Sequence, residues 1–167
     1  QNAIQQMDNQ IKDVLQFVKT GQLVLSSTRV SDIIETSLAA IQIPSTISVI
    51  ADKPKISLVC DKEKIIAIIT NLLKNSVDEI KPSGTIEITV NETSSNVIIN
   101  MIDSGKGIPD EIKTKIFEPL FTTKTSGTGL GLATCQNIAY LHEGSITVSN
   151  NPTTFSLSIP TNLKEKW

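Results

Sequence analysis

The sequence predicts an α+β fold, a two-layer sandwich in which helices cover one face of a mostly antiparallel sheet. Apolar residues recur at three- and four-residue steps in several separate segments, the period of amphipathic helices. Short β-rich runs arrive in pairs joined by brief turns, which favours antiparallel pairing with helices on one side. The chain has 167 residues, 39% of them hydrophobic and 19% charged. That suffices for one well-buried domain with an appendage and is too short for two full domains.

Taken in order, Ile4, Met7, Ile11, Val14, Leu15 and Val18 mark a first helix with one apolar stripe. Gly21 is a stop signal and the polar stretch Ser26-Ser27-Thr28 follows. A second helix spans Asp32 to Gln42, with Ile33, Ile34, Leu38 and Ile41 on its apolar face, until Pro44 ends it. Two β-rich segments come next, Thr46–Ala51 and Ile56–Cys60, separated by a turn at Asp52–Pro54. Asp61 caps a long helix whose face is Ile65, Ile68, Ile69, Leu72, Leu73 and Val77, closed by Pro82 and Gly84. Ile86–Val90 and Val97–Ile102 read as a hairpin, and Pro109 opens a short helix to about Ile116. A last helix runs from after Gly129 to about His142, followed by strands Ser145–Ser149 and Thr154–Ile159. The first helix stands apart as a lead-in.

Composition narrows the function classes. A net charge of −2 gives no electrostatic case for nucleic acid or an anionic membrane surface. Cys60 and Cys135 are far apart, lack CxxC spacing and sit in apolar runs, so buried free thiols are expected rather than a disulfide framework. No uninterrupted apolar run approaches the roughly 20 residues that span a bilayer. The chain opens on Gln1 inside a helical pattern, so it is expected to be an excised piece of a longer protein.

Four short stretches carry the chemistry: Asn71-Leu-Leu-Lys-Asn75, Asp103-Ser-Gly105-Lys-Gly107-Ile108-Pro109, Phe117-Glu-Pro-Leu-Phe121-Thr-Thr-Lys124 and Gly127-Thr-Gly129-Leu-Gly131-Leu132. Asn71 and Asn75 are one helical turn apart and project from one face, where an amide oxygen suits a hard cation such as Mg²⁺. Two asparagines bonding neighbouring loops would look the same in isolation. Asp103 ends an apolar strand and can accept from an exocyclic amino group such as adenine's. Gly105 and Gly107 let a flat ligand approach the backbone, with Ile108 against the ring, although a tight turn with an Asx hydrogen bond fits that stretch too. The glycines at 127, 129 and 131 precede a helix whose amides and positive end form an anion site, and Lys124 is placed to reach a terminal phosphate. No Walker-type Gly-Lys-Ser/Thr run is present, so the implied ATP site is not a P-loop. His142, the only histidine, falls at a helix end where a hydrogen-bonding side chain suits exposed carbonyls.

In order and type these stretches resemble the N, G1, F and G2 boxes of the catalytic ATP-binding domain of sensor histidine kinases, from the superfamily that includes gyrase, Hsp90 and MutL. The likeness runs from about Arg29 to Pro160 and is nearest the nitrogen-regulation and sporulation kinases, through Asn71-Leu-Leu-Lys-Asn75-Ser76 and Phe117-Glu-Pro-Leu-Phe121-Thr-Thr-Lys124. It implies a Bergerat-type α/β sandwich with a mixed, mostly antiparallel sheet and two cofactors, ATP and Mg²⁺. Asn75 would ligate the metal, with Asn71 beside metal and phosphates, and Asn71 and Lys124 would serve the transfer. Asp103 would bind the adenine amino group, while Gly105, Gly107 and Ile108 shape the base pocket. Lys124, Thr128 and the segment Gly129, Leu130, Gly131 and Leu132 would hold the phosphates. Thr153 falls where relatives place a threonine near adenine.

The chain departs from the family pattern in places. Pro152 stands where a glycine usually precedes that threonine, and Asp78 and Glu79 stand where a basic residue is common. Gyrase-like ATPases carry a glutamate base where this chain has Asn71, which argues against water-directed hydrolysis. Residues 1–28 offer no histidine and resemble the later part of a dimerisation hairpin, leaving 29–167 as the catalytic domain. The implied function is transfer of the ATP γ-phosphoryl to a histidine on a helix of the same or a partner subunit, and onward to a response-regulator aspartate. A homodimeric, cytoplasmic kinase, with any membrane anchor upstream, completes that expectation. A nucleotide- or partner-binding module without kinase activity and an anti-sigma-type serine kinase are the alternatives.

Overall fold

The computed structural model describes residue 11 and residues 21–80, 82–125 and 127–163. The apolar stripe from Ile4 to Val18 falls outside them, apart from Ile11. The elements run β1 (Ser26–Arg29), α1 (Val30–Ala39), β2 (Ile47–Ala51), β3 (Ser57–Cys60) and α2 (Lys62–Glu79). They continue with β4 (Gly84–Glu92), β5 (Asn96–Asp103), α3 (Gly131–Leu141), β6 (Ser145–Ser149) and β7 (Thr153–Pro160). A five-stranded sheet has the order β2-β4-β5-β7-β6, and a two-stranded sheet joins β1 to β3. All pairs are antiparallel except β2 with β4, which run parallel. A parallel neighbour requires a crossover, and α2 lies in that connection.

Two expectations are corrected here. The segments flanking Asp52–Pro54 are not a hairpin. Beyond β2 the chain keeps following β4, with the Asp52 amide donating to the Ile88 carbonyl at 2.9 Å. The Val90 amide in turn donates to the Asp52 carboxylate at 2.9 Å. The next strand, β3, pairs instead with β1, the stretch read as merely polar from its Ser-Ser-Thr sequence. The run after Pro109 forms successive turns rather than an α-helix, and its one i to i+4 bond joins Ile116 to Ile112. So short a segment gains too few bonds to offset helix nucleation.

The core is built from period-two strands and period-3.6 helices. Along β5, Val97, Ile99, Met101 and Asp103 are buried, and along β7, Thr153, Phe155, Leu157 and Ile159. Helix α2 adds Ile65, Ile68, Ile69, Leu72, Leu73 and Ser76. Each row is apolar until one end, where it turns polar: Asp103, Thr153 and Ser76. Asp103 and Thr153 are register partners. The core's polar end is therefore a built feature of three elements.

Helices α2 and α3 pack antiparallel, as three contacts show. The Asp61 amide meets His142 at the start of α2, the Cys135 thiol approaches the Ile68 carbonyl, and Gly131 lies beside Asn71. Asp61 caps α2 as expected, its Oδ1 accepting from the Lys64 amide at 3.2 Å and its Oδ2 from the Val24 amide at 3.0 Å.

Candidate functional site

Three elements, β5, β7 and α2, converge at the polar end of the core. Asp103 closes β5 and is almost fully buried. Its Oδ2 accepts from the Ser76 hydroxyl at 3.1 Å and its Oδ1 from the Gly105 amide at 2.9 Å. Burial pushes its carboxyl above the usual range, the Gly105 and Ser76 hydrogen bonds pull it back, and the nearby Glu79 charge raises it. Each carboxylate oxygen can accept two hydrogen bonds and takes one here, so each keeps one acceptor site for a further donor. Across the ladder, the Thr153 hydroxyl is buried without a hydrogen-bond partner among the described residues. An orphaned buried hydroxyl beside a buried carboxylate is costly in a plain core and fits the edge of a polar ligand.

The loop after β5 is held by the neighbouring turn between β6 and β7. The Asn150 side chain takes both backbone groups of Ile108, accepting from its amide at 3.0 Å and donating to its carbonyl at 2.7 Å. Gly107 has φ +84°, a conformation that L side chains rarely adopt, and a Cβ there would press on Asn150.

The third and fourth stretches close on each other. The Leu120 amide donates to the Gly129 carbonyl at 3.0 Å. Gly129 has φ +68°, and a side chain there would meet the Leu120 carbonyl oxygen at 2.7 Å. Leu130 caps α3 without a side-chain bond, its amide directed to the Thr128 hydroxyl at 3.4 Å, and the first turn carries no acidic residue. Leu130 is buried and Leu132 packs against the core, which fixes the amides between them. A helix start with no acidic residue in its first turn favours an anion.

Asn71 of α2 lies against this helix start. Asn71 Oδ1 lies 3.5 Å from where a Gly131 side chain would begin. One turn on, Asn75 Oδ1 accepts from the Lys124 ammonium at 3.0 Å, and the same ammonium donates to Asp78 Oδ2 at 2.9 Å. An amide oxygen already turned to a cation is chemically suited to a hard metal ion.

The structure thus brings Asp103, Gly105 and Thr153 together at one end, Asn71 against Gly131 at the other, and Lys124 onto Asn75. It also adds Ser76, Asp78 and Asn150, which sequence reasoning did not assign to the site. Ser76 follows an N-box asparagine on the face that meets Asp103, and Asn150 sits in a β-turn as a side chain able to mimic backbone. His142 is fully buried in a structural role. Its Nε2 accepts from the Asp61 amide at 3.0 Å, so the proton is on Nδ1, which donates to the Ile138 carbonyl at 2.8 Å. Burial holds its pKa below 6.5. Cys60 and Cys135 are free and buried, as expected, and burial pushes their thiols up to about 11 and about 12.

Residues 60–163 match the family described as histidine kinase-, DNA gyrase B-, and HSP90-like ATPase. Sensor histidine kinase ZraS of Escherichia coli is 32% identical over 164 residues, covering 93% of this chain and 35% of that protein. Sporulation kinase A of Bacillus subtilis is 40% identical over 96 residues, covering 56% of this chain and 16% of that protein. The chain thus spans about a third or less of the length of these relatives. The catalytic domain of histidine kinase ThkA, in a nucleotide-free form, superposes with TM-score 0.75 at 29% identity, covering 83% of this chain and 97% of that one. With an ATPase family matched across the site and the fold of a histidine kinase catalytic domain over 83% of its length, the chain belongs to the histidine kinase-, DNA gyrase B-, and HSP90-like ATPase family as an ATP-binding domain of the sensor histidine kinase type.

Proposed function

We propose that this chain is the catalytic domain of a two-component sensor kinase, transferring the γ-phosphoryl of ATP to a histidine and from there to a response-regulator aspartate. The observation that carries most weight is the buried polar end of the core, where Asp103, held by Ser76 and Gly105, stands beside the unpartnered Thr153 hydroxyl. In this assignment Asp103 accepts from the adenine amino group and Thr153 bonds the same edge of the base. Gly105, Gly107 and Ile108 flank the ring. Thr128 and the backbone from Gly129 to Leu132 receive the phosphates at the start of α3, and Lys124 pairs with the terminal one. Asn75 is assigned as the Mg²⁺ ligand with Asn71 beside it, and the metal supplies neutralisation of phosphate charge. The protein's work is positioning and charge, since phosphoryl transfer asks little covalent chemistry of it.

Asn71 is an amide where a water-activating base would be needed for hydrolysis, which favours transfer to a protein acceptor. That acceptor is assigned to a helix other than those described, on the same or a partner subunit. His142, the only histidine in the chain, is buried with both ring nitrogens engaged. We assign the stretch ahead of β1 to a dimerisation hairpin, and the working protein to a cytoplasmic homodimer. No helix among the described residues is long and apolar enough to cross a membrane.

The test supplies γ-labelled ATP, this chain and a separate helical hairpin bearing the native acceptor histidine. Acid-labile label on the hairpin is expected. Acid-stable label on serine would favour the serine-kinase alternative, and label on this chain that disappears in His142→Ala would overturn the acceptor assignment.

A further inference from the structure

Lys124 belongs to the loop that ties the third stretch to the glycines, with its amide on the Thr122 hydroxyl at 3.0 Å and its carbonyl accepting from Gly127 at 3.2 Å. Its ammonium leaves that loop and lands on α2, 3.0 Å from Asn75 Oδ1 and 2.9 Å from Asp78 Oδ2. Asn75 and Asp78 are three residues apart and share one helix face, so they act as two claws on one cation. The cation comes from the loop, and the helix carries the opposite charge.

Resting on the nucleotide-site reading above, we propose that Asp78 is a positioning residue that latches Lys124 onto α2 in the nucleotide-free protein. Nucleotide entry is then a contest between Asp78 and the incoming phosphates for one ammonium. The latch also shields Asn75 Oδ1, so the oxygen assigned to the metal is released only as Lys124 moves to phosphate. Both partners are partly exposed, the lysine side chain 31% and the aspartate 46%. The pair is therefore weak enough to exchange, and salt loosens it.

Removing the Asp78 charge has two effects that a single variant cannot separate, since it unlatches Lys124 and also lessens repulsion of any phosphate nearby. A double-mutant cycle separates them. A non-hydrolysable ATP analogue is titrated calorimetrically in EDTA into the wild-type chain, Asp78→Asn, Lys124→Met and the double variant. Asp78→Asn is expected to tighten binding roughly two- to fivefold when Lys124 is present, the scale of an exposed ion pair. In the Lys124→Met background the gain should fall to less than half of that. Equal tightening in both backgrounds would reduce Asp78 to a bulk charge and overturn the latch. Unchanged or weaker binding by Asp78→Asn would overturn it as well. Absence of analogue binding by the wild-type chain, even with Mg²⁺, would sink the nucleotide-site reading itself, a failure distinct from that of the latch.

Discussion

The antiparallel pair α2 and α3 meets opposite surroundings at its two ends. Where α2 begins and α3 finishes, Asp61 and His142 are buried, and each polar group involved has a partner. Where α3 begins and α2 finishes, the groups are partly exposed and exchangeable. There Lys124 bridges Asn75 and Asp78, and α3 starts without a side-chain cap. The first end is a clamp that fixes the separation of the helices. The second holds a partly exposed lysine, amide and carboxylate beside a helix start without a side-chain cap. The pair works as a jig: buried hydrogen bonds at the closed end hold the partly exposed polar groups in register at the open end.

That contrast can be broken first at the clamp. His142→Ala removes partners from the Asp61 amide and the Ile138 carbonyl and leaves a cavity, costing about 3–5 kcal/mol of stability. Chemical denaturation reads this, and a loss under about 1 kcal/mol would mean that the clamp does not hold the helices. Asp103→Asn probes the open end, where a hydrogen bond to a charged acceptor is at stake. The preference for ATP over GTP should fall roughly 10- to 100-fold while the fold persists. An undiminished preference would remove Asp103 from base recognition.

A subtler probe of the clamp is pH. The folded pKa of His142 lies below 6.5 through burial, so the unfolded chain binds the extra proton more readily. Its contribution to stability is present above pH 6.5 and is lost as pH falls toward the lowered folded value. Asp103 has the opposite sign: its raised pKa makes stability fall as pH rises from 3.8 through the folded value. Denaturation midpoints of the Asp103→Asn variant at pH 7 and pH 5.5 should therefore isolate a loss on acidification. No loss there, or the same loss after His142→Ala, would contradict a buried neutral imidazole.

Much of this was legible in the sequence. The Asp61 cap, the apolar face of α2 and the neighbouring pairs β4–β5 and β6–β7 are local patterns, and the structure keeps them. The pairing of β1 with β3 and the parallel pairing of β2 with β4 were not legible, because periodicity shows that a segment is a strand and not which strand it will meet. The turns after Pro109 misled for a related reason, since a first-turn proline marks a start without ensuring that a helix follows. The motif residues of the site stood out because amides, glycines and a strand-end carboxylate are poor structural choices. Asp78 did not, because an acidic residue on an exposed helix face is ordinary until the structure lays a lysine across it.

The most direct measurement is a calorimetric titration of the wild-type chain and Asn75→Ala with a non-hydrolysable ATP analogue, each in Mg²⁺ and in EDTA. The account predicts saturable, magnesium-enhanced binding by the wild type, and an Asn75→Ala variant that loses the enhancement while retaining most of its metal-free affinity. No saturable binding in either condition, or an equal loss in both on replacing Asn75, would contradict it.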